Sequence, residues 1–447
     1  MRAPEAGDRP LGREALSVAT APEPLPGISG STGGLDAIVS EAIERSPALW
    51  ASWADFEAAL QRIPQVTSLS DPQVMATIPI EEVQTRTGPQ EFILGIQQRF
   101  PWFGVLDLRG QVAWEMAQER LQRYLTDLLD TVRRVQGLWW EIAYQQSARQ
   151  IATEEIDLLE GFADVAASRY STGIGSQQAV LRAELEISRA EEQLITIEER
   201  ISSLTSDLNS IRDSHPLAPV EIPPLSAADV PTIELDLTAL IASAEALRPE
   251  IAELRHRLSR HERERQLARS QYFPNFTLGA NWIAVGGRPD NPAMSPPDEG
   301  QDAYSVVVGA SIPLWWRAYR AAVEEAERNI AATEERLRDT ENRISNDIFS
   351  AHFAMTEASD LMDLYASTLI PLAEQTLEAS EAGFATGQLT FLDLVDAERM
   401  FLRLRLAHEQ ARRDYLLALA DVERAVGAAL IPHSHSTAGA SQEVTQP

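Results

Sequence analysis

Residues 276–285 read FTLGANWIAV and residues 303–312 read AYSVVVGASI. In the first stretch Phe276, Leu278, Ala280, Trp282 and Ala284 alternate with Thr277, Gly279 and Asn281. In the second, Tyr304, Val306, Val308, Ala310 and Ile312 alternate with Ser305, Val307, Gly309 and Ser311. Successive side chains of a strand point to opposite faces, so each stretch reads as a strand with one apolar face and one small or polar face. The connection between them, GGRPDNPAMSPPDEGQ (286–301), is a polar loop with four prolines. Upstream, EFILGIQQRF (91–100) sets Phe92, Leu94 and Ile96 against Glu91, Ile93, Gly95 and Gln97. A weaker stretch, QVTSLSDPQVMATIPI (65–80), is interrupted at Asp71-Pro72. Four strands are therefore expected, over 65–80, 91–100, 275–285 and 303–312. Strands of this length and alternation are the pattern of a transmembrane β-barrel, and a soluble sandwich carries the same alternation. Four strands cannot close a barrel of useful width, so their edges must be covered within the chain or by other copies of it.

Around the strands the pattern is helical. Helices are expected over 35–62 and 236–272, and a very long run over 105–170. In the long run Leu121, Leu125, Leu128, Val132, Val135, Trp139 and Ile142 recur at alternating gaps of four and three. That is a heptad seam, by which helices pack side by side over distance. Sixty-odd residues at the α-helical rise span about 100 Å, more than a compact domain needs. A second long run begins near Trp316, and Pro371 should kink or restart it, because proline lacks the amide donor and crowds the preceding turn.

The two halves resemble each other. Ser46-Pro47-Ala48-Leu49 matches Arg248-Pro249-Glu250-Ile251, Phe100-Pro101-Trp102 matches Ile312-Pro313-Leu314, and Thr172-Gly173 matches Thr386-Gly387, at offsets of 202, 212 and 214. Three anchors in order, with the same element types between them, indicate a duplication. The chain divides into a disordered segment (1–34), repeat 1 (35–212), a linker with five prolines (213–235), repeat 2 (236–428) and a disordered tail (429–447).

Composition narrows the function. The 447 residues carry 38 basic and 67 acidic side chains, a formal charge of -29. Such a surface repels nucleic acid and attracts cations. With no cysteine, disulfides, thiol nucleophiles, zinc-thiolate sites and lipidation through Cys are excluded. The seven histidines show no metal-binding spacing, and His433 and His435 fall in the polar tail. No GxSxG, Walker-type loop or dinucleotide fingerprint occurs. No cofactor and no catalysis are expected. No apolar run approaches the roughly 20 residues of a spanning helix, which leaves a β-barrel open. The first 27 residues lack the apolar core of a secretory signal and, taken alone, suit a cytoplasmic protein. A soluble coiled-coil scaffold, with the strands as a small cap, is the alternative that suits that N-terminus.

Taken in order, these features resemble the TolC-type outer-membrane efflux channels over about residues 35–428. The resemblance lies in the duplicated helix–strand–strand–helix–helix unit and in SPAL and RPEIAELRHRLSRHERERQLARSQYFPNFTLG, the helix-to-strand passages. It extends to the strand ends QRFPWFG and SIPLWW, and to the tips SRYSTGIGSQQAVLRAE and AGFATGQLTFLDLVDAER. QRFPWFGVLDLR and GSQQAVLRAELE look more like the heavy-metal efflux branch. The resemblance implies a mainly α fold with a small β part. It implies a homotrimer whose protomers each give four strands to one twelve-stranded outer-membrane barrel, continued by a long α-helical barrel in the periplasm. It implies a passive exit channel for small molecules or metal cations, working with a periplasmic adaptor and an inner-membrane pump. Family members carry a cleavable signal and many a lipidated Cys, neither of which is visible here.

The resemblance also singles out residues. At the second tip, Asp393 and Asp396 match the acids that ring the closed pore. They lie at i and i+3 on one helix face. An acidic ring concentrates cations and repels anions. Two acids near a helix start also simply favour the helix dipole. Copy one carries Ala179 and Arg182 at the matching positions, so its tip should face neighbouring helices or the adaptor. The adaptor-docking surface is expected at Arg169, Gly173, Gly175, Ser176, Gln177, Gly383, Gly387, Gln388 and Leu389. Of these, Gly173, Gly175 and Gly387 suit the positive φ of a tight interhelical turn, which a plain helix–helix connection would need equally.

Overall fold

The protein is seen in a computed structural model that describes residues 33–81, 83–231, 233, 235–287 and 297–429. The segments 1–34 and 429–447 fall outside these residues, except for Gly33, Gly34 and Ala429, and so do His433, His435 and the middle of the proline-rich loop. Gly33 and Gly34 are helical.

Each repeat opens on helices broken by a proline. In repeat 1, α1 (Gly33–Arg45) gives way to α2 (Pro47–Leu60) and the short α3 (Arg62–Thr67). Repeat 2 follows the same plan with α6 (Leu237–Leu247) and α7 (Pro249–Ser270). The expected single helices over 35–62 and 236–272 are thus divided. Proline cannot donate to the preceding turn and drives the residue before it out of the α region. Arg248 accordingly has φ -70 and ψ 121.

Among the described residues the sheet holds five strands rather than four: β1 (Gln73–Thr77), β2 (Val83–Thr85), β3 (Gly88–Phe100), β4 (Phe276–Val285) and β5 (Ala303–Ala310). Residues 65–67 belong to α3, so the expected strand over 65–80 shrinks to β1. The strand expected from 91 begins earlier, because β2 folds back on its first residues, pairing Val83 with Gln90 and Thr85 with Gly88. All pairings are antiparallel, in the order β1-β3-β4-β5.

The register gathers the alternating residues onto common faces. Leu94 pairs with Trp282, which pairs with Tyr304; Ile96 with Ala280 and then Val306; Gln98 with Leu278 and then Val308. On the other side of β3, Val74 pairs with Ile96 and Ala76 with Leu94. One face is therefore almost wholly apolar, and it is exposed: Tyr304 is 80%, Val306 73% and Val308 76% accessible. The opposite face joins Gly95, Asn281 and Ser305 in one row and Arg99, Thr277 and Gly309 in another. Among the described residues β1 pairs only with β3 and β5 only with β4, so both keep an unpaired edge.

The long helices are α4 (Val105–Ser171), α5 (Gln177–Ile211), α8 (Trp316–Leu364), α9 (Ile370–Thr386) and α10 (Phe391–Val426). In the seam read from α4, Leu128, Val132, Val135, Trp139 and Ile142 are buried, while Leu121 and Leu125 are half-buried. Pro371 restarts the second run without ending it. Tyr365–Leu369 form one π-helical turn and α9 takes Pro371 into its first turn, so the wider turn just before it accommodates a residue that lacks an N–H.

The chain forms two compact units. One comprises residues 53–123 and 250–339 and contains the sheet. At the strand ends of that unit Trp102 stacks on Phe273 at 4.9 Å and on Phe276 at 5.8 Å, while Phe103, Trp315 and Trp316 are exposed. The other unit comprises the remaining residues. Its main core packs Trp139, Trp140 and Ile142 of α4 with Leu204 and Leu208 of α5 and Tyr415, Leu416 and Leu419 of α10. It also holds both interhelical tips.

Candidate functional site at the helical tips

In the second tip α9 ends at Thr386 and Gly387 takes φ 79. Its N–H and those of Gln388 and Leu389 turn back on the last carbonyls of α9, Gln388 to Gly383 at 2.8 Å. Gly383 serves a different purpose. It is half-buried inside α9, and a Cβ there would lie 2.7 Å from the Leu389 side chain. Its bareness lets Leu389 fold over the end of the helix.

Thr390 then caps α10. Its hydroxyl receives the Asp393 N–H at 3.4 Å, while the Asp393 carboxylate accepts the Thr390 N–H at 2.8 Å and the Thr390 hydroxyl at 2.7 Å. This is a capping box, which satisfies donors that a helix start leaves orphaned. These bonds hold the Asp393 carboxyl below the usual carboxylate range. Asp393 and Asp396 are both exposed, while Leu394, Val395, Ala397 and Glu398 are buried. The two acids thus share the outward side of α10, and one of them is already engaged as a cap.

In the first tip Gly173 has φ 77, and the N–H groups of Ile174 and Gly175 reach the Arg169 carbonyl at 3.0 and 2.8 Å. Gly175 does not have the expected positive φ. It is needed for space, since a Cβ would stand 2.9 Å from the Tyr170 nitrogen. Ser176 caps α5 by accepting the Ala179 N–H at 3.3 Å, and Gln177 is the exposed first residue of that helix.

Arg169 joins the two tips. It sits in the last turn of α4, donates from Nη1 to the carbonyl of Phe384 in α9, and lies 4.9 Å above the Phe384 ring. The Phe384 carbonyl already accepts the Gly387 N–H at 3.1 Å, so Arg169 adds a second, charged donor where the helix dipole favours a cation. Between the tips is a cleft of about 470 Å³ lined by Arg169, Arg182, Phe384, Leu389 and Phe391 among others. Arg169 is therefore engaged within the protomer rather than held out as a free docking group.

Sequence reasoning passed over Glu398. Its side chain is 1% accessible and its Oε1 has no hydrogen-bond partner. It lies among Phe391, Leu394 and Leu402, all buried in α10. Glu155 on α4 and Glu186 on α5 act on it, as does Arg399, which pairs with Glu186. Burial, reinforced by Glu155 and Glu186 against the opposing Arg399, pushes the Glu398 carboxyl up to about 8. The signal was present: an acid occupies a position that the three-four spacing of Phe391, Leu394 and Leu402 assigns to the core.

Among the described residues no group of His, Asp or Glu side chains is arranged to hold a metal, and no helix is long and apolar enough to cross a membrane. The profile of the family described as outer membrane efflux protein matches residues 38–210 and 240–428. Outer membrane protein TolC of Vibrio cholerae is 21% identical over 405 residues, covering 87% of this chain and 90% of that protein. The cobalt-zinc-cadmium resistance protein CzcC of Cupriavidus metallidurans is 22% identical, covering 88% and 90%. The crystal structure of the outer membrane protein VceC from Vibrio cholerae superposes with a TM-score of 0.72 at 18% identity, over 88% of this chain and 96% of that one. That last likeness is one of fold.

Proposed function

The chain belongs to the outer membrane efflux protein family, a family of channels and not of enzymes, and on that footing we propose that it is the passive exit duct of a tripartite efflux system. Three copies would join through the free edges of β1 and β5 into one barrel in the outer membrane. Their helices would continue it as a conduit in the periplasm, ending at the tips. A periplasmic adaptor would dock there, on exposed groups such as Ser176, Gln177, Gln388 and Leu389, and an inner-membrane pump would supply the energy. The cargo would be small molecules or metal cations.

The observation that carries this reading is the sheet register. It places the apolar residues of β1, β3, β4 and β5 on one exposed face and leaves an unpaired edge at each end. An exposed edge and an exposed apolar face together are a liability in water and a requirement in a shared barrel. A soluble scaffold gives no use for either.

Gating is assigned to the second tip. Two outward acids from each of three copies would make a ring of carboxylates that draws in cations. The tip-to-tip contact of Arg169 with Phe384 would hold the closed form. Purified from the outer membrane and placed in planar bilayers, the protein should form a trimer with low, cation-selective conductance. Replacing Asp393 and Asp396 together by Ala should raise the leak and weaken block by multivalent cations. A monodisperse monomer without detergent, or conductance and block untouched by the double substitution, would remove the duct or the gate assignment respectively.

A further inference from the structure

Glu398 is a costly residue for the place it occupies. A carboxyl 1% accessible, with Oε1 unpartnered, sits where a coiled-coil seam takes leucine. Its neighbours in α10, Leu394, Val395 and Ala397, belong to a buried core with Leu159, Phe162 and Ala166 from α4, Ala183 and Ala190 from α5 and Leu377 from α9. These are the helices that carry both tips. Burying an ionised carboxylate without a partner is strongly unfavourable, whereas the neutral acid is tolerated.

Charges act on Glu398 from three of these helices. From α4 comes Glu155, whose own carboxyl burial holds above the usual range. From α5 comes Glu186, paired with Arg189 at 3.0 Å and with Arg399. Its own helix supplies Arg399, which is turned toward Glu186. Among the described residues α9 brings Leu377 to this core and no charge that acts on Glu398. Arg399 is thus committed to Glu186, and two further acids oppose ionisation.

We propose that Glu398 is a proton-operated latch of the tips: protonated, it lets α4, α5, α9 and α10 close around it, and on releasing its proton to water it loosens that packing. Its consequence for conductance rests on the tips being the gate; the change in packing does not. The sign follows from linkage. Below the ordinary Glu value of 4.5 both packed and loosened tips hold the proton. Between 4.5 and about 8 only the packed tip holds it. Through that window each pH unit shifts the balance about tenfold toward the loosened form, and above it the shift is complete.

The test is hydrogen exchange of the full-length protein in detergent, read as protection factors for residues 391–402 between about pH 5 and 8.5, the span over which the proton is lost. Protection in the wild type should fall with rising pH by up to about tenfold per unit. Glu398→Gln and the apolar Glu398→Leu should both hold the low-pH protection throughout. Single-channel open probability, recorded over the same range, should rise in the wild type and stay flat in both variants. A wild-type slope that persists in Glu398→Gln and Glu398→Leu overturns the latch, as does a wild-type profile with no slope. Exchange that follows Glu398 while conductance ignores it supports the latch and removes the tip as the gate.

Discussion

Arg169 of α4 donates to the Phe384 carbonyl of α9 and stacks on the Phe384 ring at 4.9 Å. One side chain thus closes the last turn of one helix and fastens it to another. Gly387 preserves this contact, since a Cβ there would stand 3.1 Å from Arg169 Nη2. The turn glycine therefore serves two ends, its positive φ and the room it leaves the guanidinium.

Replacing Arg169 by Ala removes a charge-assisted bond and a cation–π contact together. The first is worth about 1.5–3 kcal/mol, and the half-exposed position places the loss at the lower end. Arg169→Lys should recover only part of it, because an ammonium cannot lie flat on the ring while it donates to the carbonyl. Faster amide exchange confined to residues 383–390 would show the loosening. Global melting should hardly move, as the main core around Trp139 and Leu416 is untouched.

The sheet makes a face-specific prediction. Val306 lies on the apolar face with Ala280 and Ile96, and Ser305 on the other with Asn281 and Gly95. Val306→Arg should cost about 2–4 kcal/mol if that face meets lipid near the bilayer midplane. Ser305→Arg should assemble normally and change conductance. Trimer yield in outer-membrane extracts reads the first effect and bilayer recording the second. Equal damage from both would contradict a lipid-facing assignment.

β4 and β5 were legible because one face of each is apolar at every second residue along its whole length, with Val307, Ile283 and Val285 the exceptions on the other face. The α4 seam was legible for the same reason at period 3.5. β2 escaped because three residues, Val83–Thr85, are too few to show a period. β1 was blurred because Pro64 is tolerated in the first turn of α3, so helix runs into the stretch that reads as strand. At the tips, Thr390 and Asp393 carried a helix-start signal, but the sequence did not separate the capping role of Asp393 from a role in a ring. Glu398 lay on the apolar spacing of Phe391, Leu394 and Leu402, but the acids that act on it, Glu155 of α4 and Glu186 of α5, are remote in sequence from α10. Gly175 was misread because close approach and positive φ both call for glycine.

The capping box separates the two acids of the second tip experimentally. Asp393 is tied to Thr390 by three bonds, so Asp393→Ala removes a charge and a cap at once. Asp396 has no part in the box, so Asp396→Ala removes charge alone. Thr390→Ala removes the hydroxyl cap while leaving both acids, at a cost of about 1 kcal/mol to the start of α10. If an acidic ring governs cation passage, Asp396→Ala should lower cation selectivity with exchange of residues 390–396 unchanged, and Thr390→Ala should do the reverse. The pH dependence gives a further distinction. The Asp393 carboxyl is held below its ordinary value of 3.8, so the stability it lends is present above that pH and is lost as pH falls through the lowered value. The cap should therefore fray only in strong acid, whereas any loosening driven by Glu398 runs the other way, with rising pH. A Thr390→Ala variant that altered selectivity as much as Asp396→Ala would show that the helix start, and not the ring of charge, sets the passage of ions.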